Sequence, residues 1–191
     1  EYRWSLGDGQ EIVQHSGEAA FGKLAYRYAR HGVYTVTLTV ADSAGNPCNS
    51  ATATRSITVN APPVANAGGP RSQALDQDLT FDAGAAADLD GDAVTFRWDF
   101  GDGNTATAAK GTHRYAKPGS YTVTLTVDDG KGVANSVATD RATIFVNAPP
   151  MASDLRVPDW LVVGVPGLFD ASQAKDPDGA IASVAWDFGD G

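Results

Sequence analysis

Aspartate residues dominate the chemistry that this sequence could perform. The chain has 20 Asp and 3 Glu residues, and Asp favours turns whereas Glu favours helices. Two Asp-rich stretches, Asp88-Leu-Asp90-Gly-Asp92 and Asp176-Pro-Asp178-Gly, each precede a segment that contains Trp. Hard cations such as calcium need several oxygen ligands at once, and alternate Asp residues in a tight loop can converge on one point. Both loops are therefore candidate cation sites.

The residues of these loops bear on two other interpretations. An EF-hand is excluded, because the glycine it requires at its sixth position would be Ala93 and because no helical pattern flanks the loop. A purely structural role stays open, since Asp side chains in turns commonly accept hydrogen bonds from nearby backbone N–H groups.

No set of residues has the spacing of a catalytic site. The histidines at positions 15, 31 and 113 do not recur in phase with the repeats described below, and no nucleophile or glycosidase motif is present. The single cysteine, Cys48, excludes an intrachain disulfide and a cysteine-based zinc site. A net charge of −9 argues against nucleic acid as a partner. The longest apolar stretch, residues 160–169, is too short to span a bilayer. We therefore expect a non-enzymatic protein without catalytic or organic-cofactor-binding residues.

Three segments of the sequence repeat in the same order. Trp-Asp-Phe-Gly-Asp-Gly stands at 98–103 and 186–191, and as Trp-Ser-Leu-Gly-Asp-Gly at 4–9. The heptamer Tyr-Thr-Val-Thr-Leu-Thr-Val occupies 34–40 and 121–127, and Val-Asn-Ala-Pro-Pro occupies 59–63 and 146–150. The repeats predict a tandem array with a period of 87 or 88 residues. The predicted domains are a partial repeat at 1–60, a complete repeat at 61–147 and a partial repeat at 148–191.

Each repeat has the pattern of an all-β unit. In residues 121–127, Tyr, Val, Leu and Val alternate with three Thr, which is the period of a half-buried strand. Residues 94–100 alternate in the same way. About seven short strands per repeat without helical periodicity predict a β-sandwich. We expect Trp98 and Trp186 to lie in its core.

The motifs together resemble the PKD (polycystic kidney disease) domain. They are the hexamer at 98–103, His113-Arg-Tyr115, Pro118-Gly119 and the heptamer at 121–127. The resemblance covers the whole chain and implies tandem immunoglobulin-like sandwiches, used on bacterial, archaeal and animal surfaces and often found beside enzymes. Only the first repeat departs from the pattern, with Ser5 and Leu6 in place of Asp and Phe. The Tyr that opens each heptamer resembles a tyrosine corner, whose hydroxyl bonds to main chain.

The resemblance also implies a calcium site, since some bacterial PKD domains bind calcium with an Asn near the first strand and the Asp-rich loop. Asn60 and Asn147 stand at that place. The predicted metal ligands are Asn60, Asp88 and Asp90 in one repeat and Asn147, Asp176 and Asp178 in the next.

The expected function is that of an extracellular or cell-surface spacer, adhesive or fibre-forming module in a linear assembly. Rigid sandwiches would be joined by short, stiff Asn-Ala-Pro-Pro junctions. The expected partners are neighbouring PKD-like repeats in cis or in trans, with a polysaccharide or a surface protein as further candidates. The alternative is an accessory polymer-binding region of a secreted hydrolase, which an exposed row of aromatic residues would favour. Trp160 has no counterpart in the other repeats; we expect it to pack at an edge strand, with an exposed sugar-binding or interface role as the alternative.

The first and last repeats are each expected to be half of a sandwich. An isolated half would leave the apolar side chains of residues 34–40 without an opposing sheet. We therefore expect PKD-like sequence to complete each half, in cis or from a neighbour. Two explanations stay open: the chain is a slice of a longer array, or the tail of one copy completes the head of the next in an open filament.

Overall fold

The computed structural model describes residues 1–43 and 49–189, so that Cys48 lies outside the described residues. The described residues form thirteen β-strands. No helix in this part of the chain has the length and apolar character needed to cross a membrane. The strands are β1 (Tyr2–Ser5), β2 (Glu11–Gln14), β3 (Gly32–Ala41), β4 (Ser50–Val59), β5 (Pro63–Val64), β6 (Arg71–Ala74), β7 (Leu79–Asp82), β8 (Ala87–Asp88), β9 (Thr95–Asp99), β10 (Thr105–Ala106), β11 (Lys110–His113), β12 (Gly119–Asp128) and β13 (Val137–Asn147).

The chain divides into two compact units that do not follow the sequence repeats. Unit 1 contains the first repeat together with two loop segments of the second, and unit 2 contains the rest of the second repeat and the tail. The predicted domain boundaries after residues 60 and 147 stay a prediction. Unit 1 comprises Glu1–Val64, Ala87–Val94 and Asp128–Ala138, and unit 2 comprises Ala65–Ala86, Thr95–Val127 and Thr139–Gly191.

Unit 1 is built on a four-stranded antiparallel sheet in the order β2-β1-β3-β4. β3 and β4 pair along ten residues, from Gly32 opposite Val59 to Ala41 opposite Ser50. β1 lies between β2 and β3 and pairs with both. In β3, apolar residues alternate with threonines, so that Tyr34, Val36 and Leu38 lie on one face of the sheet.

Unit 2 contains a β-sandwich, as the sequence predicts. A five-stranded sheet in the order β10-β9-β12-β13-β6 faces the two-stranded sheet β11-β7. Phe81 of β7 contacts Trp98 and Phe100, with ring centroids 5.1 and 4.9 Å apart. Trp98 is completely buried, which confirms its predicted place in the core. The second repeat has nine strands rather than about seven, because three of them are two-residue pairings.

The structure contradicts two predictions about tryptophan residues in the tail after β13. Trp186 is 37% exposed rather than buried. Its ring packs against those of Phe169 and Phe188, with centroids 5.8 and 6.2 Å away, and no described strand includes it. Trp160 is 90% exposed, and no strand includes it, so its predicted packing at an edge strand is also wrong.

Both repeats use the same tyrosine hydrogen bonds. The Tyr34 hydroxyl donates to the Arg30 carbonyl at 2.9 Å, and the Tyr121 hydroxyl donates to the Lys117 carbonyl at 2.9 Å. These bonds confirm the predicted tie between the opening Tyr of each heptamer and the main chain. They fix the turn before the long central strand in both repeats.

The glycine that follows the Trp strand permits a close approach in both repeats. Gly101 has φ +78°, and a Cβ there would lie 2.7 Å from the Thr122 carbonyl oxygen. Gly7 has φ +81°, and a Cβ there would lie 2.8 Å from backbone atoms of Thr35. Only glycine combines this backbone conformation with such a contact, so the motif positions the turn against the heptamer strand.

Candidate metal centre

The junction between the first and second repeats is a network of backbone and side-chain hydrogen bonds within unit 1. The Ala61 N–H donates to Asp90 Oδ2 at 2.7 Å, and the Asp90 N–H donates to Asp88 Oδ1 at 2.7 Å. β5 pairs with β8 directly beside these bonds. The Asp-rich loop is thereby tied to the residue that follows Asn60.

Asn60 itself links the junction to a third segment of the chain. Its Nδ2 donates to Asp129 Oδ2 at 2.7 Å and to the Ala61 carbonyl at 2.7 Å. Its own carbonyl accepts a bond of 2.8 Å from Asn135 Nδ2. The structure therefore brings three chain segments together at one pole of the second repeat, which are the Asn60–Ala61 junction, the 88–92 loop and the 129–135 loop.

Three carboxylates meet in this network. Ligand oxygens of Asp88, Asp90 and Asp92 lie within 4.8 Å of one another. Two further observations concern unpaired oxygens: within the described residues, Asn60 Oδ1 and Asp88 Oδ2 are buried and have no hydrogen-bond partner. A buried oxygen without a donor costs free energy, and carboxylate and amide oxygens are the ligands that a hard cation takes.

Two basic side chains contact the same carboxylates. His31 Nδ1 contacts Asp90 Oδ1, and Lys131 Nζ lies 2.8 Å from Asp92 Oδ1. The hydrogen bond from the Ala61 N–H, followed by the contact with His31, lowers the pKa of Asp90. The hydrogen bond with Asp92 raises the pKa of Lys131. Asp90 is therefore held as an anion, and the Lys131 ammonium group pairs with the neighbouring Asp92 carboxylate.

Asp129 contributes a fourth carboxylate at the edge of the cluster. It is 5% exposed, and burial raises the pKa of its carboxyl group. Hydrogen bonds from Asn60, the Lys131 backbone and Ser136 outweigh that effect and leave the pKa below its usual value. Asp129 is therefore held as an anion by donors from its own loop and from the junction.

The second predicted site has the same backbone pattern within unit 2. The Ala148 N–H donates to Asp178 Oδ1 at 3.1 Å, and the Asp178 N–H donates to Asp176 Oδ1 at 3.1 Å. Asn147 Nδ2 donates to the Ala148 carbonyl at 2.8 Å. The position of Asp92 is occupied here by Ala180, so this site has two carboxylates in its loop rather than three.

Four residues of the first site are absent from the predicted ligand set. Asp92 and Asp129 stand in loops whose Asp residues are visible in the sequence, but only the fold brings these two loops together. His31 aligns with Pro118 and has no in-phase counterpart, so no periodic signal could have found it. These residues are His31, Asp92, Asp129 and Lys131.

The Asp residues of the Gly-Asp-Gly turns have a different use. Asp8 accepts a bond of 2.6 Å from the Tyr26 hydroxyl, which raises the pKa of Tyr26 to about 12. Asp102 makes the corresponding contact, 2.8 Å from His113 Nε2. In both repeats, the carboxylate of this turn therefore binds a side chain of the segment before the heptamer and fixes the turn against it.

Comparisons with known proteins agree with these repeats. The family model described as PKD domain matches residues 1–59 and 60–144. The pre-pro-metalloprotease PrtV of Vibrio cholerae is 39% identical over 106 residues, which are 53% of this chain and 10% of that protein. The collagenase ColA of Clostridium perfringens is 39% identical over 80 residues, which are 42% of this chain and 7% of that protein. The chain thus spans a tenth or less of these relatives.

A solved structure shows the same kind of match. The PKD1 domain of Vibrio anguillarum Epp is 31% identical, with a TM-score of 0.40, and the alignment covers 48% of this chain and all of that domain.

Proposed function

The chain belongs to the PKD-domain family, and from this premise we propose that it is a non-catalytic spacer of an extracellular or cell-surface protein. In this role it holds neighbouring modules of a linear assembly at a set distance. A net charge of −9 suits an exposed, well-hydrated surface. The relatives that it matches carry such repeats as a small part of a much longer chain.

The junction between the repeats is the observation that carries this proposal. A spacer keeps the modules on either side of it at a fixed distance only when its own modules do not swing freely about their linkers. Here the Asn60–Ala61 segment is bonded to the 88–92 loop and to the 129–135 loop. His31 of the first repeat contacts Asp90 of the second. The junction therefore behaves as part of a folded unit rather than as a free linker.

Calcium is the cofactor that we propose for this junction. The unpaired oxygens of Asn60 and Asp88 and the three clustered carboxylates supply the oxygen ligands that calcium requires. A bound ion would neutralise the carboxylates and link the two repeats more firmly. The site at Asn147, Asp176 and Asp178 would bind more weakly, because Ala180 replaces the third loop carboxylate.

Hydrogen exchange at the Ala61 amide tests the proposal directly. We expect strong protection in the intact chain, because this N–H donates to the carboxylate of Asp90 at 2.7 Å. Asp90→Ala should reduce the protection at residues 60–62 by at least about tenfold, as expected when one hydrogen bond of about 1.5–3 kcal/mol to a charged group is lost. Asp99→Ala is the matched control, because the Asp99 carboxylate accepts a hydrogen bond from the Gly101 N–H in a turn outside the junction. Equal exchange in all three proteins would contradict a fixed junction.

A second candidate function is that of an accessory polymer-binding region of a secreted hydrolase. Two observations favour it: the relatives include a collagenase and a metalloprotease, and Trp160 is 90% exposed. An exposed indole is a common platform for a sugar ring or an apolar side chain. Retention of the chain on insoluble collagen or polysaccharide, lost in Trp160→Ala, would support this candidate.

A further inference from the structure

An exposed aromatic ring lies on the outer face of the five-stranded sheet in unit 2. Phe145 of β13 is 50% exposed, whereas its neighbours Ile144 and Val146 are at most 2% exposed. Successive side chains of a strand point to opposite faces of a sheet, so Phe145 points away from the sandwich core. The ring is therefore accessible to a ligand.

Serine hydroxyl groups flank this ring on the two neighbouring strands. β13 lies between β12 and β6, and Ser72 of β6 is directly opposite Phe145 in the parallel pairing. Ser120 of β12 is exposed on the outer face. The counterparts of Ser120 and Phe145 in the first repeat, Val33 and Thr58, are paired with each other. Neighbouring strands lie about 4.8 Å apart, so both hydroxyl groups lie beside the ring.

The ring and the two serines line a groove of about 510 Å³ within unit 2. Asn147 and Asp178 contribute an amide and a carboxylate group to the same lining. Within the described residues, no hydrogen bond occupies the hydroxyl group of Ser72 or Ser120. The volume lies within the range of about 300–1,000 Å³ that is usual for small-molecule sites. The groove thus combines one aromatic surface with several available polar groups.

A groove of similar size lies at the corresponding place of the first junction, within unit 1. Its volume is about 520 Å³, and Asn60 lines it in the place of Asn147, together with Asn135. A groove is therefore a recurrent feature of the repeat junction. The outward residue of the first junction is Thr58 in place of Phe145, so the aromatic surface distinguishes the second groove.

The chemistry of the second groove matches that of a neutral sugar. The C–H face of a hexose can stack on an aromatic ring, and its hydroxyl groups both donate and accept hydrogen bonds, as serine and asparagine side chains do. Among the described residues that line the groove, none is Lys or Arg, and Asp178 is acidic. An acidic sugar would therefore meet a like charge without a compensating cation.

We propose that this groove binds a neutral hexose unit of a polysaccharide, with the sugar ring stacked on Phe145 and sugar hydroxyl groups bonded to Ser72 and Ser120. The inference goes beyond the spacer role. It rests on the second candidate function, polymer binding, and specifies that function by naming a ligand class and a site other than Trp160.

Titration of the isotope-labelled full chain with cellohexaose and with mannohexaose, two neutral oligosaccharides, tests this site by NMR. Chelator keeps the neighbouring candidate metal site free of cations during the titration. We expect shifts centred on the backbone amides of Ser72, Ser120 and Phe145 with at least one of the two oligosaccharides. The Kd should be roughly 0.1–5 mM, as expected for one stacked ring and a few hydrogen bonds. An oligogalacturonate of equal length, which is acidic, should cause no such shifts.

Variants of the ring give the sharpest outcome. Phe145→Ala should weaken binding by at least about tenfold, whereas Phe145→Tyr retains an aromatic ring and should bind like the native chain. Thr143→Ala is the matched control, because Thr143 lies two residues away on the same strand and does not line the groove.

Three results would overturn the inference. One is the absence of shifts with both neutral oligosaccharides at about 20 mM, well above the expected Kd. Another is equal binding by Phe145→Ala and the native chain. The third is binding that is lost in Trp160→Ala and kept in Phe145→Ala, which would leave the second candidate function standing at the exposed indole. The spacer role is tested separately by exchange at the Ala61 amide, so none of these results bears on it.

Discussion

Calcium at about one hundred times its Kd should stabilise the chain by about 2.7 kcal/mol, as expected for a ligand that binds only the folded state. For a protein of 150–250 residues this corresponds to a rise in Tm of roughly 5–10 °C. The physical reason is that ligand oxygens of Asp88, Asp90 and Asp92 lie within 4.8 Å of one another and that Asp88 Oδ2 is buried without a hydrogen-bond partner. Thermal unfolding in calcium and in chelator measures the effect.

Variants at the junction distinguish a specific site from general charge screening. Asp88→Asn should remove most of the calcium-dependent rise in Tm, because it takes a charged ligand from the cluster. Asp99→Asn removes one negative charge outside the cluster and should retain the rise. Magnesium chloride at equal ionic strength supplies a second control, since Mg²⁺ demands a stricter geometry. An unchanged Tm in the native chain, or an equal loss in both variants, would contradict the proposed site.

Leu125→Ala should cost about 2–5 kcal/mol of unfolding free energy, the range for a fully buried leucine. Leu38→Ala, the same substitution in the same heptamer, should cost less than half as much. Leu125 is completely buried, whereas Leu38 is half-buried. Urea unfolding, extrapolated linearly to zero denaturant, measures both values.

This pair of variants has a built-in control, because local sequence and strand type are identical. Equal losses would contradict the difference in burial between the two equivalent leucines.

Local periodicity predicts the strands that carry the core. The alternation in residues 121–127 indicates a strand, and β12 extends over Gly119–Asp128. The same alternation correctly places Trp98 inward. These predictions succeed because a period of two depends only on neighbouring residues and on the presence of an opposing layer. The tyrosine hydrogen bonds are also local, since each spans four residues.

Local sequence patterns do not predict features that depend on residues far apart in the sequence. His31 and Asp90 are 59 positions apart, and His31 has no counterpart in the second repeat, so neither periodicity nor motif predicts their contact. Trp186 shows the opposite failure: its motif is that of a core residue, but burial needs a covering sheet as well as an inward position. The Asp-rich loop lies between these cases, because its spacing indicates a cation site whereas the fold brings Asp129 and Asn60 to it.

The distance between the first repeat and the pole of the second is the most direct test of a fixed junction. Spin labels at Thr54→Cys on β4 and Val133→Cys in the 129–135 loop, in a Cys48→Ser background, both lie in unit 1 and permit pulsed dipolar measurement in solution. We expect one narrow distance distribution in the native chain, narrower still in calcium, and a broad distribution in Asp90→Ala. A distance distribution that is broad in the native chain, with and without calcium, would contradict a fixed junction and with it the role of a spacer.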